Sequence, residues 1–152
     1  MTPTKTLENH PQTCYHKRMM ERVKYSYTKN QAEKYRQIIL YAIKCCGHAN
    51  GIPKTKLAKE VCLADFIWYY ENNESMSGME YRKRKFGPVA DAFFSLLDEM
   101  EQEGVVNCQI APSSTIKGKN TWLYSLATNK ISYEKLGQEE KTLIEQICKG
   151  WE

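Results

Sequence analysis

The sequence predicts a mainly α domain with a small β-hairpin, an α+β fold of winged-helix-like order. Three observations carry that reading. Two stretches between residues 31 and 104 repeat apolar residues at helical spacing on either side of a near-continuous apolar run opened by Pro53, two later runs alternate with period two about a turn-rich segment, and a last helical stretch closes the chain. A chain of 152 residues fits one domain. With 41% hydrophobic and 26% charged residues, its composition is globular, not disordered.

Residues 1–30 read as a basic N-terminal extension and residues 31–152 as the helical domain. Within the extension, Tyr15, Met19, Val23 and Tyr27 recur every four residues between Lys17, Arg18, Arg22 and Lys24, which allows one amphipathic helix with a basic flank. The first firm helix is expected at 31–46, where Tyr35, Ile38, Ile39, Ala42, Ile43 and Cys46 form one apolar stripe that Gly47 stops. Gly51-Ile52-Pro53 makes a turn, and Pro53 opens a second helix to about Tyr70, since its missing N–H costs nothing in a first turn. Lys54, Lys56 and Lys59 make the start of that helix basic and solvated. Val61 to Tyr70 is apolar on nearly every side and is expected to be central to the core.

Asp65 stands inside that apolar run. A buried carboxylate is costly unless it is paired or hydrogen-bonded, so Asp65 is read as accepting bonds from backbone N–H groups or a cation and fixing a neighbouring loop. A polar loop at 71–78 precedes four consecutive cations, Arg82, Lys83, Arg84 and Lys85, candidates for a surface that meets an acidic partner. Gly87-Pro88 is expected to start a third helix, with Val89, Phe93, Leu96, Leu97 and Met100 on one face and Gly104 at its end. Val106, Cys108 and Ile110, then Trp122, Tyr124 and Leu126, alternate as a hairpin whose tip carries Lys117 and Lys119. A final helix spans about 137–149, with Gly150 as its cap and Trp151 folded back.

Charge refines the functional reading. The chain holds 22 Lys and Arg against 18 Asp and Glu, a net +4. Residues 1–36 hold eight against three, so the rest is close to neutral. Three helices followed by a hairpin suggest DNA binding first, yet the third helix carries Asp91, Asp98, Glu99, Glu101 and Glu103 and no cation. Phosphates would repel such a helix, so nucleic acid is disfavoured as a partner, and the alternative reading is a winged-helix-like nucleic-acid-binding regulator that uses the basic tail, Arg82 to Lys85 and the hairpin tip instead. No nucleotide-binding loop, nucleophile elbow or zinc-protease motif is present, and no catalytic, cofactor or metal site is expected. The six cysteines include no C-x-x-C pair. Cys45-Cys46-Gly47-His48, with Cys14 and His16, is the strongest metal hint, outweighed by the reading that Cys62, Cys108, Cys148 and one of Cys45 and Cys46 are small core residues in a reducing cytosol. No apolar run approaches the ~18 residues of a membrane span, and residues 1–30 lack the apolar stretch of a secretory signal, so the expected compartment is the cytoplasm.

Four motifs in order carry a family resemblance: Lys56-Leu57-Ala58-Lys59 leading into Leu63-Ala64-Asp65-Phe66; Ser77-Gly78-x-x-Tyr81; Gly87-Pro88-Val89; and Glu103-Gly104-Val105. Across about residues 32–149 the chain resembles the Panacea (SocA-like) antitoxin domain family, found in toxin–antitoxin pairs and prophage-associated loci. The resemblance implies a mostly helical, non-catalytic domain that neutralises a cognate protein toxin by direct binding or, in one branch, by delivering it to a protease. It places Asp65, Tyr81, Gly87 and Pro88 on the family's signature positions, a structural hub where the second helix meets the Gly-Pro turn. Lys83 falls where the family often has a lysine, while Phe86 stands in place of a frequent Tyr. The acidic face at Asp91, Asp98 and Glu99 is the expected complement to a basic toxin.

Overall fold

A computed structural model describes residues 27–47, 50–85 and 87–150. The amphipathic segment expected at 15–27 lies outside these residues apart from Tyr27. So do Cys14, His16, His48, Phe86 and the back-folded Trp151.

Helix α1 is Lys29–Cys46. It starts two residues before the expected position because Thr28 and Gln31 form a capping box: the Thr28 hydroxyl accepts the Gln31 N–H at 3.1 Å, and the Gln31 side chain accepts the Thr28 N–H at 2.8 Å. The expected domain boundary at 30/31 therefore falls inside a helix. After it, β1 (Ile52–Pro53) leads directly into α2 (Lys54–Asn72). Gly51, at φ +103°, makes this entry possible, since a Cβ there would meet the Tyr124 carbonyl oxygen at 2.8 Å. Asn73 in the left-handed region ends α2.

The segment after the loop differs from expectation. β2 (Tyr81–Arg82) and β3 (Val89–Ala90) pair as an antiparallel ribbon, with Tyr81 opposite Ala90 and Arg82 opposite Val89. Gly87, at φ +123°, turns the chain between them, and α3 (Asp91–Gln102) starts four residues later than Gly87. Then β4 (Val106–Pro112) and β5 (Asn120–Leu126) form the expected hairpin, and α4 (Gln138–Gly150) closes the described chain. Gly150 is the last residue of α4, not a cap beyond it.

β1 adds to the hairpin through Ile52 opposite Tyr124, giving a three-stranded antiparallel sheet in the order β1-β5-β4. Helix, short strand, helix, helix and two-stranded wing, with the short strand beside the last, is a winged-helix-like arrangement, here with the β2–β3 ribbon inserted between the second and third helices. One core unites it: Tyr35, Ile39, Leu57, Phe93, Leu97 and Tyr124 are all essentially inaccessible to solvent. α4 packs across α1 and α2, tied to α1 by Lys34–Glu140 at 2.8 Å and by Tyr41 donating to Glu145.

The burial of α2 corrects the sequence expectation. Its buried residues are Lys54, Leu57, Glu60, Val61, Cys62, Ala64 and Asp65, so three of them come from the half expected to be solvated. Phe66, Tyr69 and Tyr70, expected in the core, are exposed. A helix facing inward through 57, 61 and 64 must turn 59, 66 and 70 outward, whatever their polarity.

Candidate functional site

Asp65 organises the loop that follows α2. It is 4% exposed, and its Oδ1 accepts the Ser77 N–H at 2.9 Å and the Ser75 hydroxyl at 3.2 Å. Oδ2 accepts the Tyr81 hydroxyl at 2.7 Å and the Ser77 hydroxyl. The carboxylate is thus surrounded by donors, which is how a buried anion is tolerated. Tyr81 continues the chain inward to Tyr35 and stacks edge-on against Phe66, with ring centroids 5.5 Å apart. Burial pushes both tyrosine hydroxyls well above their ordinary range, with the Asp65 charge adding to the effect, so both stay protonated as donors. Of the four signature positions, Asp65 and Tyr81 meet. Gly87 and Pro88 lie at the far end of the ribbon, in its turn.

The cation run and the acidic helix largely meet each other. Asp91, at the first position of α3, takes Arg84 at 2.6 Å and also Arg82, so these two arginines brace the ribbon against the helix that follows it. Lys83 and Lys85 are exposed. Arg36 of α1 bridges to Glu103 at 2.6 Å and Glu99 at 3.5 Å. Asp98 is buried at 8% exposure and directs its charge at Lys54, which removes it from the expected partner surface. Of the three carboxylates expected to meet a toxin, Asp91 and Glu99 are paired within the fold and Asp98 is inside it. A charge count along the sequence could not separate these from solvated acids, because the partners are 7 to 63 residues away.

Two surfaces among the described residues bear on function. Phe66, Tyr69 and Tyr70 form an exposed aromatic stripe at i, i+3 and i+4 on α2, with Tyr70 89% exposed. The sequence shows these residues but, lacking any burial, assigns them to the core. The second surface is a groove of about 550 Å³ between the start of α2 and the wing, lined by Lys56, Lys59 and Lys119 with the hydroxyls of Thr55, Ser113 and Thr115.

Among the described residues, Lys54 and Glu60 are buried with their charged groups free of hydrogen-bond partners. Lys54 places its ammonium 5.1 Å from the Phe94 ring centroid and 5.9 Å from that of Trp122, and burial lowers its pKa to about 8 against the opposing pull of Asp98. Glu60 is 2% exposed, neither carboxylate oxygen is hydrogen-bonded, and burial raises its pKa to about 7. Beside it, Cys46 and Cys148 form a disulfide, contrary to the expectation of reduced core cysteines. Cys62 is a free buried thiol as expected, while Cys45 and Cys108 are free and half-buried.

No protein-family model, curated protein or solved structure matches this chain. No helix among the described residues is long and apolar enough to cross a membrane.

Proposed function

We propose that this protein is a non-catalytic antitoxin or adaptor of the Panacea (SocA-like) type, working in the cytoplasm by direct binding to a cognate protein toxin. The observation that carries the reading is the aromatic stripe Phe66–Tyr69–Tyr70. Large aromatic side chains presented together to solvent are the residues that anchor protein interfaces, because they bury much area at little entropic cost. The stripe begins one residue after Asp65, one of the four signature positions of the resemblance, and its Phe66 packs edge-on against Tyr81, another of them. Coexpression with the product of the adjoining gene tests the reading. The expected result is a complex that co-purifies, relief of that product's growth inhibition, and an affinity loss of about tenfold or more for Tyr69→Ala or Tyr70→Ala. A neighbour that neither inhibits growth nor co-purifies ends the antitoxin reading. In the adaptor branch the bound partner also turns over faster in the presence of a cellular protease.

The lysine-lined groove favours a second reading, a nucleic-acid-binding regulator that holds backbone phosphate between α2 and the wing. Such contacts give affinity that falls steeply with salt and is reduced by Lys56→Ala or Lys119→Ala. Absence of DNA and RNA binding at low salt eliminates it.

A further inference from the structure

The last turns of α1 and α4 and the middle of α2 converge on one buried point. Cys46 lies at the end of α1 and Cys148 in the last turn of α4, with Cα atoms 4.9 Å apart. The two sulfurs and a carboxylate oxygen of Glu60 all lie within 4.8 Å of one another, and all three residues are buried. Glu60 has no hydrogen-bond partner for either oxygen. A carboxylate held in an apolar interior without donors is a standing cost, and the group that would use both of its oxygens is a cation. The helix ends point the same way. Both cysteines sit where a helix presents its unsatisfied carbonyls, the negative end of its dipole, which attracts a cation and gives a bare thiolate no help.

We propose that, once the Cys46–Cys148 disulfide is reduced, Cys46, Cys148 and Glu60 bind a thiophilic divalent cation of the zinc class. Two thiolates and a carboxylate suit zinc and disfavour magnesium or calcium, which prefer oxygen ligands throughout. Three protein ligands leave one of four tetrahedral positions for water or another donor. The disulfide and the metal exclude each other, because the metal needs both sulfurs as thiolates. Reduction by a phosphine breaks the S–S bond: phosphorus is oxidised to the phosphine oxide, taking its oxygen from water, whose two protons go to the two sulfurs. The cation then displaces those protons as the metal–sulfur bonds form. In a reducing cytosol the dithiol form is the one that persists, so there the site is competent for metal. The pairing is invisible to spacing rules because its cysteines are 102 residues apart.

The test uses the full chain, oxidised or reduced with a phosphine, titrated with cobalt(II) and then zinc(II). The reduced protein is expected to take up one equivalent of cobalt with a thiolate-to-cobalt charge-transfer band and strong tetrahedral ligand-field bands, both lost when zinc is added. The oxidised protein should show neither. Cys46→Ser and Cys148→Ser are expected to lose the charge-transfer band or weaken it sharply, and Glu60→Gln to reduce affinity at least about tenfold. Wild-type protein gives a readout that does not depend on how the variants fold: zinc should protect Cys46 and Cys148 from alkylation, read peptide by peptide, and leave the other four cysteines unchanged. The proposal is overturned by a reduced, folded chain that binds no cobalt, by a band that survives both serine substitutions, or by unchanged alkylation of Cys46 and Cys148. Undiminished affinity in Glu60→Gln removes Glu60 from the ligand set and with it the site as described.

Discussion

Lys54 carries a charge that the fold has to work to keep. Its ammonium lies between Phe94 and Trp122, near Asp98, and its pKa drops from 10.5 to about 8 because burial penalises the charged form. Below pH 8 both the native and the unfolded chain hold this proton, so the full penalty is present there. Between about pH 8 and 10.5 the unfolded chain binds the proton and the native one does not, so stability rises with pH through that window. Lys54→Met is therefore expected to stabilise the protein at neutral pH by about 1–3 kcal/mol, a gain that shrinks above pH 8. The difference between wild-type and variant urea midpoints, measured at pH 7 and 9.5, reads this directly. Asp65 is the opposite case, a buried charge fully supplied with donors. Asp65→Asn brings an amide N–H₂ against the Ser77 and Tyr81 donors and should cost about 2–3 kcal/mol. Ser75→Ala, at the exposed edge of the same cluster, should cost less than about 1 kcal/mol. Equal midpoints for Asp65→Asn and wild type would remove the hub. Asp65 was legible in the sequence because an acid inside an apolar run needs donors nearby. Lys54 and Glu60 were not, because their burial follows from which face of α2 turns inward, and lysines near a helix start ordinarily face water.

The β2–β3 ribbon shows how an element can be held by a charge pattern that sequence reading takes for a binding surface. With two residues in each strand it has little intrinsic stability, and a lone short hairpin is marginal in water. Its braces are Asp91 gripping Arg82 and Arg84, and Tyr81 bonded to Asp65. Asp91→Asn is expected to lower global stability by only about 1 kcal/mol, since both arginines are partly exposed, while loosening the ribbon locally. Limited trypsin digestion should therefore cut the variant faster than wild type within Arg82–Lys85. Unchanged cleavage there would show that Asp91 does not brace the ribbon. The long elements were readable because α1, α3 and the wing each repeat their apolar residues over two or more turns or alternations, and α4 sets Leu143, Ile144 and Ile147 at helical spacing. β1, β2 and β3 were not, since two residues display no period. Their pairing is set by Gly51 beside the Tyr124 carbonyl and by the Gly87 turn, neither of which a hydropathy pattern contains. The aromatic end of α2 failed for a different reason: periodicity gives a helix its faces only where polar residues mark the outer one, and Val61 to Tyr70 has almost none.

The Cys46–Cys148 disulfide joins the end of the first described helix to the end of the last, closing a loop that contains most of the folded chain. The sequence shows apolar residues on α1, α2 and α4, and the structure packs α4 across the other two. A hydropathy pattern cannot show that a thiol of α1 meets one of α4. In the chain-entropy account, a cross-link spanning about a hundred residues raises stability by about 4–5 kcal/mol by restricting the unfolded ensemble. With a urea dependence of about 2 kcal/mol per molar for a chain this size, reduction should lower the unfolding midpoint by about 2 M. Cys148→Ser should unfold near the reduced wild type, not near the oxidised protein. Zinc adds a separate dependence. A metal that binds only the reduced native state at a hundredfold excess over its Kd restores about 2.7 kcal/mol, so the midpoints should fall in the order oxidised, reduced with zinc, reduced with chelator. Oxidised protein should not respond to zinc, because its sulfurs are already committed to each other. Midpoints that coincide for oxidised and reduced protein would mean that the disulfide contributes nothing to stability. If those two differ but zinc does not move the reduced midpoint, the cross-link stands and the metal does not, which separates the covalent role of the two cysteines from their role as ligands.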